Sequence, residues 1–123
     1  MKSWALAAVA VVAGLAVGGC NSDPAAGSVN GPAIFQSLCA TCHGTDGRPP
    51  AAMAARLGVR DLTAPEFRAR VTAALVEQQV RHGSQNKLMP AFEGAISDPQ
   101  IRAVSAYVAS PPFLQPAPPA APR

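Results

Sequence analysis

The run CATCH at residues 39–43 places two cysteines two residues apart and a histidine directly after the second cysteine. This run constrains the chain more than any other feature, because it can form a dithiol redox site, a zinc site or a haem attachment site. A dithiol site usually follows a strand at the start of a helix, whereas these cysteines come at the end of a predicted helix. A structural zinc needs four ligands, and the only other histidine is His82.

Haem attachment is the alternative that the run fits best. Two thiols at this spacing can add to the two vinyl groups of one porphyrin, and the adjacent His43 can then reach the iron. The pattern is short and also occurs by chance, so its context matters. The N-terminus supplies that context, because covalent attachment of haem takes place outside the cytoplasm.

The first residues have the layout of an export signal. A short basic segment precedes the apolar run from Trp4 to Val17, which is too short to span a bilayer. Small residues then precede Cys20, and this arrangement resembles the lipobox of bacterial lipoproteins. We therefore predict a lipoprotein-type signal peptide at 1–19, with Cys20 lipidated. The alternative is ordinary cleavage that leaves Cys20 as a free thiol, a liability in an oxidising compartment.

The exported part divides into three regions. Residues 20–29 are predicted to be a flexible tether, residues 30–109 a folded domain, and residues 110–123 a disordered tail, because the tail holds six prolines. The folded domain is so short that its core is marginal unless something else fills it. A large prosthetic group would supply the missing apolar bulk.

The domain is predicted to be all-α, with three to five helices joined by long loops and no convincing strand. Asn30 is a predicted N-cap, and Ser97 with Gln100 forms a predicted capping box. The predicted helices begin near Asn30, Pro65, Thr72 and Ser97. Long loops in so small a domain are acceptable if they wrap around a ligand.

Three residues are candidates for the sixth position on a haem iron. Met89 precedes Pro90, which would stiffen the loop that presents the sulfur. Met53 lies in an alanine-rich stretch, where a methionine that fills a gap in the core is the simpler interpretation. His82 stands at a predicted helix end, where a cation is favoured by the helix dipole, so Met89 is preferred.

At this point the chain resembles the class I c-type cytochromes over nearly all of residues 30–109. The residues that carry the resemblance are Gly31 and Phe35, the run CATCHG, RDLT at 60–63, the stretch from VRHG to MPAF, and the last predicted helix SDPQIRAVSAYV. The resemblance implies a cytochrome c fold around one covalently bound haem c. It also implies that Cys39 and Cys42 form the thioethers, that His43 is the proximal iron ligand and that Met89 is the distal one.

The resemblance carries further structural expectations. In the family, the first and last helices cross near a glycine and two aromatic residues, and Gly31, Phe35 and Tyr107 stand at those positions. Larger members use a proline carbonyl to accept a hydrogen bond from the proximal histidine. Pro49 and Pro50 come early for that role in this chain, so the choice between them stays open. The exported part also has no tryptophan to contact a propionate.

The function implied is one-electron transfer by a periplasmic carrier, not enzymatic catalysis. Its partners would be redox proteins that dock transiently, with Cys20 holding it to the membrane and no small-molecule substrate. The net charge of +3 is spread without a basic stripe, which argues against nucleic acid. The alternative is a haem-based gas or redox sensor with a labile Met89. A peroxidase is weaker, because there is one CxxCH and no distal acid–base pair.

Overall fold

The structure is a computed structural model in which residues 27–115 are described. These residues form helices, and between residues 27 and 115 the only β-type pairing is an isolated bridge between Glu93 and Ile96. The α-helices are α1 Gly31–Leu38, α2 Ala40–His43, α3 Ala51–Leu57, α4 Pro65–Arg68, α5 Ala73–His82 and α6 Asp98–Ala109, and a 3₁₀ turn follows at Pro111–Leu114. The all-α prediction is confirmed.

Local capping explains where the main helices start. The Asn30 side chain accepts a hydrogen bond from the Ala33 backbone N–H at 3.0 Å, and the Thr72 hydroxyl caps α5 in the same way. At the start of α6, Ser97 and Gln100 exchange both bonds of the capping box. These three starts agree with the sequence prediction, because each depends on residues within one turn.

The described part of the chain has six α-helical segments, more than the three to five predicted. One reason is Cys39, whose backbone φ of −113° interrupts the first helix and separates the single turn α2 from α1. The other is α3, which was not predicted. It follows Pro50 at its N-cap, consists mostly of alanine and other strong helix formers, and ends at Gly58.

α1 and α6 cross at very short range. A Cβ atom added at Gly31 would lie 2.5 Å from the Ala103 carbonyl oxygen and 2.8 Å from the Tyr107 Cβ, so only glycine fits. Beside this crossing, the ring of Phe35 meets Tyr107 edge to face, with centroids 6.0 Å apart. The crossing expected from the resemblance is therefore confirmed at all three residues.

The core lies where α1, α5 and α6 meet. Within residues 27–115 it has eight buried apolar side chains, which are Ile34, Phe35, Leu62, Val80, Ile101, Val104, Val108 and Phe113. A second set of half-buried apolar residues packs around them, and it includes Cys39 and Met89. Eight buried side chains are few for a domain of this length.

The end of the folded domain differs from the prediction. Residues 110–123 were expected to be disordered, but Pro111–Leu114 forms a 3₁₀ turn and Phe113 is only 3% exposed. The Phe113 ring packs edge to face on Phe35 and Tyr107, at centroid distances of 5.1 and 5.2 Å. The prolines lack hydrogen-bond donors, but they do not prevent a short 3₁₀ turn that buries an aromatic ring.

Several predictions fall outside the described residues. They are the signal peptide at 1–19, lipidation of Cys20, most of the tether at 20–29 and the tail from residue 116 onward. The tether is described from Gly27, and the Ser28 carbonyl accepts a hydrogen bond from the Gln100 side chain at 3.0 Å. Over residues 27–115, none of the helices has both the length and the apolar character needed to traverse a bilayer.

Candidate functional site

The CATCH run forms a single tight turn. The backbone N–H groups of Cys42 and His43 both donate to the Cys39 carbonyl, at 3.2 and 2.9 Å, and the Gly44 N–H donates to the Ala40 carbonyl at 2.8 Å. This turn brings the two thiols and the imidazole together on one short segment. The two cysteines are partly buried and are not joined by a disulfide.

The Cys39 thiol is held in its protonated form. Burial raises its pKa to about 11, and the nearby Cys42 adds to the effect in the same direction. At neutral pH Cys39 is therefore a thiol rather than a thiolate. A low-pKa nucleophilic cysteine, as a dithiol redox site requires, does not occur at this position. Across residues 27–115 no group of three His, Cys, Asp or Glu side chains is arranged to hold a metal ion, so zinc gains no support.

The His43 ring is oriented by a backbone carbonyl. Its Nδ1 lies 3.4 Å from the Arg60 carbonyl oxygen. Burial lowers the pKa of His43, while the contact with Arg60 opposes that shift, so the ring is neutral at pH 7. With its proton on Nδ1 donated to Arg60, the ring has its Nε2 lone pair free for a metal. The acceptor is thus Arg60, and neither Pro49 nor Pro50 takes the role considered for them.

The loop that carries Arg60 is held by a second loop and by its own turn. The Leu62 N–H donates to the Gly47 carbonyl at 2.9 Å, which joins the two loops. The Asp61 carboxylate accepts from the Thr63 N–H at 2.8 Å and from the Thr63 hydroxyl at 2.6 Å. Arg48 donates to the same hydroxyl at 3.1 Å. The residues RDLT at 60–63 therefore form a rigid turn that fixes the carbonyl facing His43.

Met89 lies on a loop whose backbone is tied at both ends. Its N–H donates to the Ser84 hydroxyl at 2.9 Å, and its carbonyl accepts from the Ser84 N–H at 3.0 Å. Gly83 allows this close return of the chain, since its φ of 71° suits glycine and a Cβ there would overlap the Met89–Pro90 backbone. The Phe92 N–H then donates to the Val80 carbonyl at 3.0 Å, which anchors the loop to α5.

The two other candidates for the distal position are placed less favourably. His82 is exposed at the end of α5, and Met53 lies on α3 outside the set of residues that pack on the core. Met89 and Cys39 both pack against that core. Among the candidates within residues 27–115, Met89 is therefore the one held in a fixed loop beside the same apolar cluster as the CATCH turn.

These residues fit a haem. The donor set consists of two unpaired thiols in one turn, a neutral imidazole and a thioether, which suits covalent attachment and iron ligation. The core described above is small, while Leu75 and Leu88 are 59% and 52% exposed. A large apolar group would add to the buried surface of such a core.

Comparison with known proteins decides the family. A sequence-family model described as cytochrome c oxidase, cbb3-type, subunit III matches residues 28–108. The chain belongs to this cytochrome c family. Its cofactor is accordingly haem c, covalently bound and containing iron. The cytochrome c fold predicted from the sequence is confirmed as well, since solved c-type cytochromes share it.

Three similar proteins are cytochromes. Cytochrome c6 of Thermosynechococcus vestitus is 32% identical over 108 residues, which cover 88% of this chain and 91% of that protein. Cytochrome c6 of Nostoc sp. is 38% identical over 84 residues, covering 68% and 70%. The solved KustC0563 c-type cytochrome superposes with a TM-score of 0.58 at 25% identity, covering 65% of this chain and 94% of that one. These likenesses support an electron carrier, not an enzyme, as the sequence predicted.

Two structural features of this cytochrome were not found from the sequence. The Arg60 carbonyl is a backbone group, so the identity of its side chain carries no signal for it. The RDLT run did stand out, and its turn-forming Asp61 and Thr63 were the available hint. Phe113 was missed because it lies in a proline-rich segment, although an aromatic residue within such a segment is itself a sign of packing.

Proposed function

We propose that this cytochrome is an exported, lipid-anchored carrier that passes single electrons between membrane-associated redox proteins in the periplasm. Cys39 and Cys42 hold the haem through thioethers, His43 is the proximal ligand and Met89 the distal one. The observation that carries the proposal is the pair of fixed donors: a neutral His43 oriented by Arg60, and a Met89 whose backbone is bonded at both ends to Ser84.

Each residue has a distinct task. The haem iron, cycling between its ferrous and ferric states, supplies the one-electron chemistry. Donation from His43 Nδ1–H to Arg60 keeps the imidazole in one tautomer and one orientation. The hydrogen bonds to Ser84 hold the Met89 backbone in one place, which favours a permanent ligand over a labile one. If His43 and Met89 both ligate the iron, small molecules would have no open site, which would favour electron transfer over gas sensing.

Methionine ligation is tested by replacing Met89 with alanine in the haem-loaded protein. The ferric wild type is expected to show the weak far-red band of methionine sulfur on iron, and Met89→Ala is expected to lose it. The reduction potential of Met89→Ala should fall, because a methionine ligand raises the potential. Visible spectroscopy and a redox titration measure both effects.

Met53→Ala is the matched control, and it should keep the band and the potential of the wild type. A band that persists in Met89→Ala would contradict the ligand assignment. A wild type that lacks the band and binds carbon monoxide readily would favour the sensor alternative, or His82 as the distal ligand.

The lipid anchor is tested by Cys20→Ser. The wild type is expected in the membrane fraction and labelled by radioactive palmitate, whereas Cys20→Ser should be unlabelled and largely soluble after cell fractionation. A single acyl chain binds membranes only marginally. A clear difference in membrane association between the wild type and Cys20→Ser therefore requires more than one acyl chain on Cys20. A wild type that is unlabelled and soluble would show that Cys20 is not lipidated, while leaving electron transfer unaffected.

A further inference from the structure

Residues 110–114, which we term the C-terminal strap, lie beyond the residues 28–108 that match the family. The strap follows α6 directly and turns back onto the domain. Its Phe113 ring is buried against Phe35 of α1 and Tyr107 of α6. The strap is therefore part of the packed structure, and its position raises the question of what it supports.

Phe113 also packs against the loop that follows the CATCH turn. A Cβ atom added at Gly47 would lie 2.6 Å from two carbons of the Phe113 ring, so the ring rests directly on the glycine backbone. Gly47 has a φ of +84°, which a residue with a side chain adopts only under strain. The Gly47 carbonyl accepts the hydrogen bond from Leu62 that joins the two loops. Phe113 thus supports the junction between them.

Arg68 holds the strap in this position. Its guanidinium donates to the carbonyls of Val108 at 2.7 Å, Ala109 at 3.2 Å and Ser110 at 3.0 Å, which are the last acceptors of α6 and the first of the strap. The same group lies 5.6 Å from the centroid of the Phe113 ring, within range of a cation–π contact. It also reaches the Leu62 carbonyl at 3.5 Å.

These contacts converge on the acceptor of the His43 proton. Phe113 supports Leu62 through Gly47, and Arg68 donates directly to the Leu62 carbonyl. Leu62 is two residues from Arg60. We propose that Phe113 of the C-terminal strap, together with Arg68 of α4, which holds the strap, positions the Arg60 carbonyl against Nδ1 of His43. Phe113 and Arg68 are positioning residues for the proximal ligand. This inference rests on the proposed role of His43 as an iron ligand.

The experiment measures how fast the Nδ1–H of His43 exchanges with deuterium oxide. The full-length, haem-loaded protein is labelled with ¹⁵N-histidine and studied by NMR in the diamagnetic ferrous state. We expect a protected Nδ1–H in the wild type and an exchange rate faster by about tenfold or more in Phe113→Ala and in Arg68→Gln, because the local bond opens more often. Phe113→Leu keeps most of the buried volume and covers the case in which Phe113→Ala does not fold.

Two controls separate positioning from general loss of stability. Leu114→Ala changes a neighbouring side chain of the strap that is 51% exposed, and its exchange rate should match the wild type. Val80→Ala shortens a buried side chain of α5. It should lower the melting temperature while leaving the exchange of the His43 proton nearly unchanged.

The outcomes are distinct. Equal exchange rates in the wild type, Phe113→Ala and Arg68→Gln would overturn the inference alone, and Phe113→Leu takes the place of Phe113→Ala if that variant does not fold. An acceleration in Val80→Ala as large as that in the Phe113 variants would also overturn it, because it would reflect global unfolding. The ligand assignment and the inference would be overturned together by two results. The wild type would have no protected Nδ1–H, and His43→Ala would retain the axial ligation of the wild type.

Discussion

Replacing Cys39 and Cys42 together with alanine is expected to give a chain that retains no haem under denaturing conditions and has lost most of its helical structure. The first effect follows from the proposed thioethers, since these are the cysteines of the CATCH turn. The second follows from the core, which has only eight buried apolar side chains within residues 27–115. A core this small leaves little free energy of folding once the prosthetic group is absent.

The measurements are haem staining after denaturing electrophoresis and far-ultraviolet circular dichroism. Thr41→Ala is the matched control, because Thr41 lies between the two cysteines and is exposed. It should keep both haem and helicity. Each single cysteine variant is expected to retain some haem through the remaining thioether. A double variant with covalently bound haem would contradict the attachment sites, and one with full helicity would contradict the argument from the core.

Phe35→Ala in the haem-loaded protein is expected to lower the free energy of unfolding by about 3–5 kcal/mol, the usual cost of removing a buried phenylalanine. The Phe35 ring is 1% exposed and contacts both Tyr107 and Phe113 edge to face. Its loss leaves a cavity where α1, α6 and the strap meet. Because a small domain is stable by only about 5–15 kcal/mol, the effect is a large share of the total.

Chemical denaturation followed by circular dichroism measures this loss. The slope of the unfolding free energy against denaturant concentration is compared between variants, because a change in it reports a change in the denatured state. Leu114→Ala serves as the control, since its side chain is over half exposed and should cost little. If Phe35→Ala and Leu114→Ala shift the midpoint equally, the aromatic contacts at the helix crossing do not stabilise the fold as described.

The helix boundaries that the sequence predicted are those determined by neighbours in the chain. The Asn30 cap, the Ser97–Gln100 capping box and the end of α5 at Gly83 each depend on side chains and backbone within one turn. The glycine and aromatic residues at the α1–α6 crossing were found through resemblance, because the contact joins distant parts of the chain. Local signals alone would not have paired them.

Two elements were not predicted from the sequence, and the second of them depends on distant contacts. α3 follows two prolines, and all of its residues except Arg56 are apolar, so no alternation of polar and apolar residues reveals its period, although alanine favours a helix. Phe113 is ordered by α1, by α6 and by Arg68, a residue more than forty positions away from the strap carbonyl that it binds. Proline content therefore predicted disorder where tertiary packing produces a turn.

The candidate site also has one part that the sequence predicts and another that it does not. The side chains proposed to hold the haem, those of the CATCH turn and of Met89, can be read directly from the sequence. The orientation of His43 depends on the Arg60 carbonyl, which every residue type possesses. No motif can encode such an acceptor directly, so only its supporting turn at Asp61 and Thr63 could point to it.

The acceptor at residue 60 is a main-chain carbonyl, so the surface charge at this position and the orientation of His43 can change separately. A side-chain acceptor would couple these two properties. The Arg60 side chain is exposed and takes no part in the bond to His43. Evolution can therefore exchange this positive charge for a neutral or negative one, and so retune which partner surfaces are attracted, without disturbing the imidazole. Partner choice and the orientation of His43 can then change independently, one through surface mutations and the other through the backbone.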